Sequence, residues 1–159
     1  MSYADDYFMI LNHLHRYSDA VDRGDFAKVE EMFREADIYL PGSDEPASKA
    51  NSGRSLGASL MEWTRLFPDT GTPKTRHLCV NPIVDFEGEN RARVQTYFVV
   101  FQATDKIPLQ PIITGTYLDV LVKENGAWKF IERKEVMGQI GDLSDHLLQA
   151  IPREGPGTA

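Results

Sequence analysis

Residues 112–136 read IITGTYLDVLVKENGAWKFIERKEV, and the alternation within them decides the fold. Thr114, Thr116, Leu118, Val120 and Val122 alternate with Ile113, Gly115, Tyr117, Asp119 and Leu121, the period of two that sends successive side chains to opposite faces of a strand. Asn125 and Gly126 in the ENG turn suit the positive φ of a tight hairpin. Ala127 to Val136 then returns as a second long strand. Working backwards, Arg91 to Thr104 is a further strand rich in valine and aromatic residues, connected forwards by DKIPLQP. Thr75 to Phe86 precedes it across the turn EGEN, and its Pro82 marks an edge position or a bulge. Four long strands in succession, joined by short turns, form an antiparallel sheet.

The first half of the chain has the helical period instead. Tyr7, Leu11, Leu14, Tyr17 and Val21 recur at spacings of three and four over about Ala4 to Asp22, with Phe8 and Ile10 widening the stripe. Gly24 stops this helix, and Asp25 is placed to cap a shorter one bearing Phe26, Val29, Met32 and Phe33. The RGD corner between them makes an αα-hairpin. Ala36 to Leu40 is a short strand. The polar stretch PGSDEPASKANSG (41–53) is long enough to act as a lid or to be mobile. Leu56, Leu60, Trp63 and Phe67 mark a third amphipathic helix, closed at Pro68. LSDHLLQAI, from Leu143, has the pattern of one more helical turn, and the terminal REGPGTA has the composition of a disordered tail. The expected architecture is α+β: a strongly curved, mostly antiparallel sheet, bent into a cone by its bulge and covered by three helices. Residues 1–141 form that domain and 142–159 a partly disordered C-terminal extension.

Composition excludes several function classes. A chain of 159 residues with net charge −7 lacks the basic patch that a nucleic acid backbone requires, and the acidic balance is read as solubility. No apolar run is long enough to span a bilayer, and the N-terminus lacks the order of a signal peptide, so the expected location is the cytoplasm. The single cysteine, Cys79, has no intramolecular partner for a disulfide, as expected in a reducing compartment. His13 and His15 lie roughly 200° apart around a helix and cannot chelate together. No HExxH, cysteine pair, GxGxxG or P-loop is present, so neither a metal nor a nucleotide cofactor is expected.

The chemistry centres on KTRHLCVN, residues 74–81. His77 sits in mid-strand, where an imidazole can serve as a general base or as a satisfied structural histidine. Asp22, in the last turn of the first helix, faces the negative end of the helix dipole. A hydrogen bond to the Nδ1 proton of His77 would offset that cost and leave Nε2 free to take a proton; otherwise Asp22 is an exposed turn residue beside Arg23. Cys79 shares the His77 face as a small lining residue. Arg76 points the other way, towards an ion pair. Tyr17, Tyr97 and Tyr117 are candidates to hydrogen-bond a substrate, or else core aromatics. Trp63 is a further lining candidate. Arg133, within IERKEV, either clamps a substrate anion or sits at the surface.

Three stretches carry a family resemblance. RYSDAVDRGDFAKVEEMF (16–33), TRHLCVNPIVDFEGENRARVQTYFVV (75–100) and GTYLDVLVKENGAWKFIERKEV (115–136) resemble, in that order, the helix pair, the histidine strand with its hairpin, and the closing hairpin of the SnoaL-like branch of the nuclear transport factor 2-like superfamily. Within it the pattern is most similar to scytalone dehydratase-like and hexachlorocyclohexane dehydrochlorinase-like proteins. The resemblance implies an Asp–His pair at Asp22 and His77. It does not extend to the second pocket histidine of scytalone dehydratase, since the next strand reads FVVFQAT, nor to its serine and asparagine, which fall near Gly115 and Tyr117.

Together these readings point to a cofactor-independent lyase or isomerase of the dehydratase kind, acting on a small, largely apolar, cyclic substrate in an enclosed pocket. The alternative is a non-catalytic binding or assembly subunit of the same fold. Expected partners are a small molecule and the chain itself, as dimer or trimer, because the outer sheet face carries part of Val94 to Phe101 and Leu118 to Val122. Neither a nucleic acid nor a membrane is expected as a partner.

Overall fold

The helical and alternating stretches form eight elements in the order α1 (Tyr3–Asp22), α2 (Phe26–Phe33), β1 (Asp37–Tyr39), α3 (Leu56–Trp63), β2 (Thr75–Phe86), β3 (Arg91–Gln102), β4 (Gln110–Glu124) and β5 (Ala127–Ile140). The structure, a computed structural model, describes residues 2–53 and 55–149. One curved sheet runs β1-β5-β4-β3-β2, antiparallel throughout except where β1 lies parallel to β5. The fold is α+β, with the three helices against the inner face of the sheet.

Strict alternation separates the two faces. On β3, Ala92, Val94, Thr96, Phe98, Val100 and Gln102 are all buried, while the intervening residues are exposed or half-buried. On β2 the parity reverses midway. Thr75, His77 and Cys79 face inwards before the bulge, and Val84 and Phe86 after it. Val80 pairs with Tyr97 and Ile83 with Gln95, so β2 spends one extra residue there. Asn81, at φ 52°, turns the corner that Pro82 signals.

α1 lies in the trough of the sheet and buries Ile10, Leu14, Tyr17, Ala20 and Val21. Phe8, expected on this stripe, is 65% exposed; the true stripe runs through Ile10 and Leu14, and Phe8 points off it. Asp6 ties the start of α1 to the β4–β5 hairpin, accepting from Trp128 Nε1 at 3.0 Å and pairing with Lys123 at 2.7 Å. At the RGD corner Gly24 adopts φ +72°, and an added Cβ would stand 2.6 Å from the Gly71 carbonyl oxygen. Asp25 caps α2 by accepting from the Lys28 amide. α3 ends at Trp63, four residues short of Phe67, because Thr64 is extended and bridges Leu147 while Phe67 bridges Thr72. The polar stretch 41–53 is anchored rather than free: hydrogen bonds of 2.8 Å join Ile38 N to Ser48 O, Ala47 N to Ile38 O, Ala50 N to Asp37 Oδ1 and Asn51 N to Arg34 O. It follows β1, at the opposite edge of the sheet from β2.

At the centre of the core is a charge. Arg133 is fully buried, and its guanidinium forms a bidentate pair with Asp119 at 2.7 and 2.8 Å. The rings of Tyr117, Tyr17, Phe33 and Phe130 surround it, 4.0–5.0 Å from the guanidinium carbon. A surface position for Arg133 is therefore excluded. Its register partner on β4 is Asp119 itself, which puts both on the inner face. Removing one partner of such a pair leaves a buried charge without compensation. Arg133→Ala is expected to cost about 3–5 kcal/mol, whereas Arg133→Met with Asp119→Leu costs much less. Urea midpoints of the three chains provide the comparison.

Candidate active site

The C-terminal end of α1 meets β2 through a single side chain. Asp22 accepts three hydrogen bonds: from the Thr75 hydroxyl at 2.8 Å, from the His77 backbone N–H at 2.8 Å, and at 2.6 Å on Oδ1 from His77 Nδ1. Burial disfavours the charged carboxylate, but the His77 ring and backbone together with Thr75 outweigh it and hold Asp22 below the ordinary aspartate range. An ionised carboxylate can only accept, so Nδ1 carries the imidazole proton and Nε2 presents its lone pair. Both side chains are largely buried. The alternative of an exposed turn residue does not describe Asp22.

Around the pair, Cys79 Sγ lies 3.1 Å from Ser18 Oγ on α1. Tyr17 meets Tyr117 edge to face at 5.8 Å, and Tyr117 stacks on Phe98 at 4.3 Å. Burial raises the pKa of both phenols, so they remain protonated donors near neutrality. The Arg133 guanidinium carries one buried nitrogen, Nη1, without a hydrogen-bond partner. Burial opposes its charge, yet Asp119 more than compensates and Arg133 stays a cation.

Other expected residues are placed elsewhere. Tyr97 lies on the outer face of β3, 47% exposed, because it sits one residue out of phase with Phe98; it has no part in the inner-face cluster. Trp63 ends α3 with a partly exposed ring, and its carbonyl oxygen accepts from Leu148 N at 2.8 Å. Arg76 donates to the Thr75 carbonyl at 2.7 Å, and among the described residues it does not form the expected ion pair.

Two groups escaped the sequence reading. Leu143 to Leu148 fold back over the core, held by the Arg65 N–H on the His146 carbonyl and the Thr64–Leu147 bridge. This brings His146 close to His77. Burial, and repulsion from His77, push its ring down to about 4, and its Nδ1 is buried without a partner. The expected helical turn at 143 exists as a short turn; the rest of the expected extension, 150–159, lies outside the described residues. The second group is Glu135, opposite Tyr117 in the β4–β5 register and two residues from Arg133. Alternation puts Glu135 on the same face as Arg133, but the sequence did not show that this face is the inner one.

A separate depression lies between α1, the end of α2 and β5, lined by His13, Arg16, Arg34, Lys129 and Phe130 among others. Its lysines are paired, Lys28 with Glu31 and Lys129 with Glu35, and neither Asp22 nor His77 borders it. Among the described residues, no three His, Cys, Asp or Glu side chains are grouped to hold a metal ion. Among the described residues, no helix is long and apolar enough to cross a membrane.

Helices seated in a curved, mostly antiparallel sheet make an α+β fold, and a solved structure of similar shape, 15% identical with TM-score 0.62, is described as an NTF2-like protein with a cystatin-like fold. The chain belongs to the SnoaL-like domain family, which matches residues 2–134. A scytalone dehydratase candidate from Novosphingobium aromaticivorans DSM 12444 superposes with TM-score 0.67 at 20% identity, covering 86% of this chain and 87% of that one. LinA superposes at 0.66 and 15% identity, covering 89% and 92%. The β subunit of a candidate aromatic-ring-hydroxylating dioxygenase, also from N. aromaticivorans DSM 12444, superposes at 0.67 and 14% identity, covering 87% and 94%. No curated protein matches the sequence. At these identities the shared property is the fold.

Acid stability tests the electrostatics of the site. His13 and His146 both sit near pKa 4 in the folded chain, against 6.5 for an ordinary imidazole. The folded value is the lower one, so their contribution is complete above pH 6.5 and is lost as the pH falls towards 4. Each is expected to remove roughly 2–3 kcal/mol across that window. The loss attached to Asp22, an acid with a lowered pKa, begins only below its unfolded value of about 3.8. Urea unfolding at successive pH values, repeated with His146→Gln, should show a shallower slope between pH 6.5 and 4 in the variant.

Proposed function

We propose that this protein is a cofactor-independent lyase or isomerase of the dehydratase kind, acting on a small, largely apolar, cyclic molecule. The observation that carries the reading is the 2.6 Å contact between Asp22 and His77 Nδ1, which leaves Nε2 as the accepting nitrogen. His77 takes a proton from carbon, and Asp22 fixes the ring and stabilises the imidazolium that forms. Tyr17 and Tyr117, neutral and buried, donate to the oxygen that gains charge, and Arg133 Nη1 is a further donor for a substrate oxygen. Apolar walls strengthen these few polar contacts by excluding water. A second reading, a non-catalytic subunit that binds or assembles, is favoured by the likeness to a dioxygenase β subunit.

The base can be tested without knowing the natural substrate, by following exchange of the α-protons of small cyclic ketones in D2O by NMR. Asp22→Asn and His77→Gln are each expected to fold and to slow exchange by roughly 10²–10⁴-fold. The double variant should be little slower than either single one, because the two groups act as a unit. Additive losses would mean that the residues work apart, and wild-type exchange in all three variants would favour the binding reading.

We also propose that the chain self-associates through the outer sheet face. Leu78, Val80, Ile83, Tyr97 and Leu118 are all exposed there, an apolar surface of the kind that marks an interface. Sedimentation at micromolar concentration should give a dimer or trimer mass, and Tyr97→Glu with Leu118→Glu should reduce it to a monomer.

A further inference from the structure

Glu135 is a carboxyl group that the stability of the fold does not explain. It is half-buried in mid-β5, and its register partner is Tyr117. It alternates with Arg133, whose guanidinium lies wholly inside, so the two share the inner face. Arg133 is nevertheless committed to Asp119 on β4. Among the described residues, no side chain within ion-pair distance meets the Glu135 carboxyl. Tyr117 on β4 lies opposite it, and the charges and phenols within electrostatic reach are Arg133 on its own strand, Asp119 on β4, Tyr17 on α1 and His77 on β2. The inner face of β5 thus carries an acid within electrostatic reach of His77 and, among the described residues, with no ion-pair partner.

We propose that Glu135 is the general acid that works opposite His77, donating its proton to a hydroxyl leaving group. This deepens the reading of the site as a lyase and rests on it. Burial, reinforced by the charge of Asp119 and only partly offset by Arg133 and His77, raises the Glu135 pKa and favours the protonated form. The step then balances. His77 Nε2 takes the proton from carbon, and the C–H electron pair becomes the new carbon–carbon double bond. The carbon–oxygen bond breaks towards oxygen, and the departing oxygen takes the Glu135 proton and leaves as water. Imidazolium and carboxylate remain facing one another, and transfer of the proton from His77 to Glu135 through water restores both. The substrate class is a cyclic compound with a hydroxyl on the carbon next to an acidified C–H, as in a β-hydroxyketone. Hydroxide is too poor a leaving group to depart unprotonated, and that is the work Glu135 does.

The test compares two leaving groups in the full-length protein. A cyclic β-hydroxyketone needs the acid, and its β-chloro analogue does not, since chloride departs with its electron pair unprotonated. In Glu135→Gln the elimination of water is expected to fall roughly 10²-fold or more relative to the elimination of chloride; equal losses on the two substrates would overturn the proposal. His77→Gln, run beside it, separates the two assignments. If it lowers neither elimination, the base assignment falls and this proposal with it. If it abolishes both while Glu135→Gln shows no leaving-group preference, only the acid is wrong. A measurement free of turnover supplements these: the infrared difference between wild type and Glu135→Gln at neutral pH. It should contain the carbonyl stretch of a neutral carboxyl, and carboxylate bands in its place would overturn the proposal.

Discussion

The buried Arg133–Asp119 pair is the constraint around which the molecule is arranged. Taking two charges out of water costs several kcal/mol per ion, and only close, doubly hydrogen-bonded geometry can offset that. The bidentate contact supplies this, and four aromatic rings supply the rest of the lining. Those rings come from α1, α2, β4 and β5, so one guanidinium fixes where four elements meet. Tyr17 is one of them. Asp22 lies about one and a half turns further along the same helix, which is how a charge in the core sets the position of a carboxylate at β2.

Much of this was legible in the sequence. Period-two alternation and the Asn125–Gly126 turn gave the sheet, and the three-and-four spacing gave α1 and α2. Pro82 marked the bulge, and the bulge sits at Asn81 to Ile83. Asp22 and His77 were legible as a pair because the family resemblance of residues 16–33 and 75–100 implied it; the helix dipole alone left Asp22 equally readable as an exposed turn residue. Tyr97 was misplaced although the alternation that puts Phe98 inside puts Tyr97 outside.

Other features depend on contacts between distant parts of the chain. His146 comes within electrostatic reach of His77 because the segment after β5 pairs with the end of α3, and no local pattern records that return. The same pairing shortened α3, since Thr64 left the helix to bridge Leu147. Residues 41–53 have a polar composition that suits a free loop, but their backbone groups found partners along the short β1 strand. An arginine within a charged run such as IERKEV has the local look of a surface residue. Only its neighbours across the sheet and the helices reveal it as core.

The three hydrogen bonds on Asp22 have a consequence for how such a site drifts over generations. They fasten the end of the first helix to the second strand, so the pair that would move a proton is also a rivet. A descendant that abandoned its reaction would still gain stability from keeping aspartate and histidine there. Persistence of that pair across relatives is therefore a poor witness to turnover. Glu135, which among the described residues makes no ion pair, is the position whose loss would be tolerated first if the proposed chemistry lapsed, and its retention would carry the sharper message.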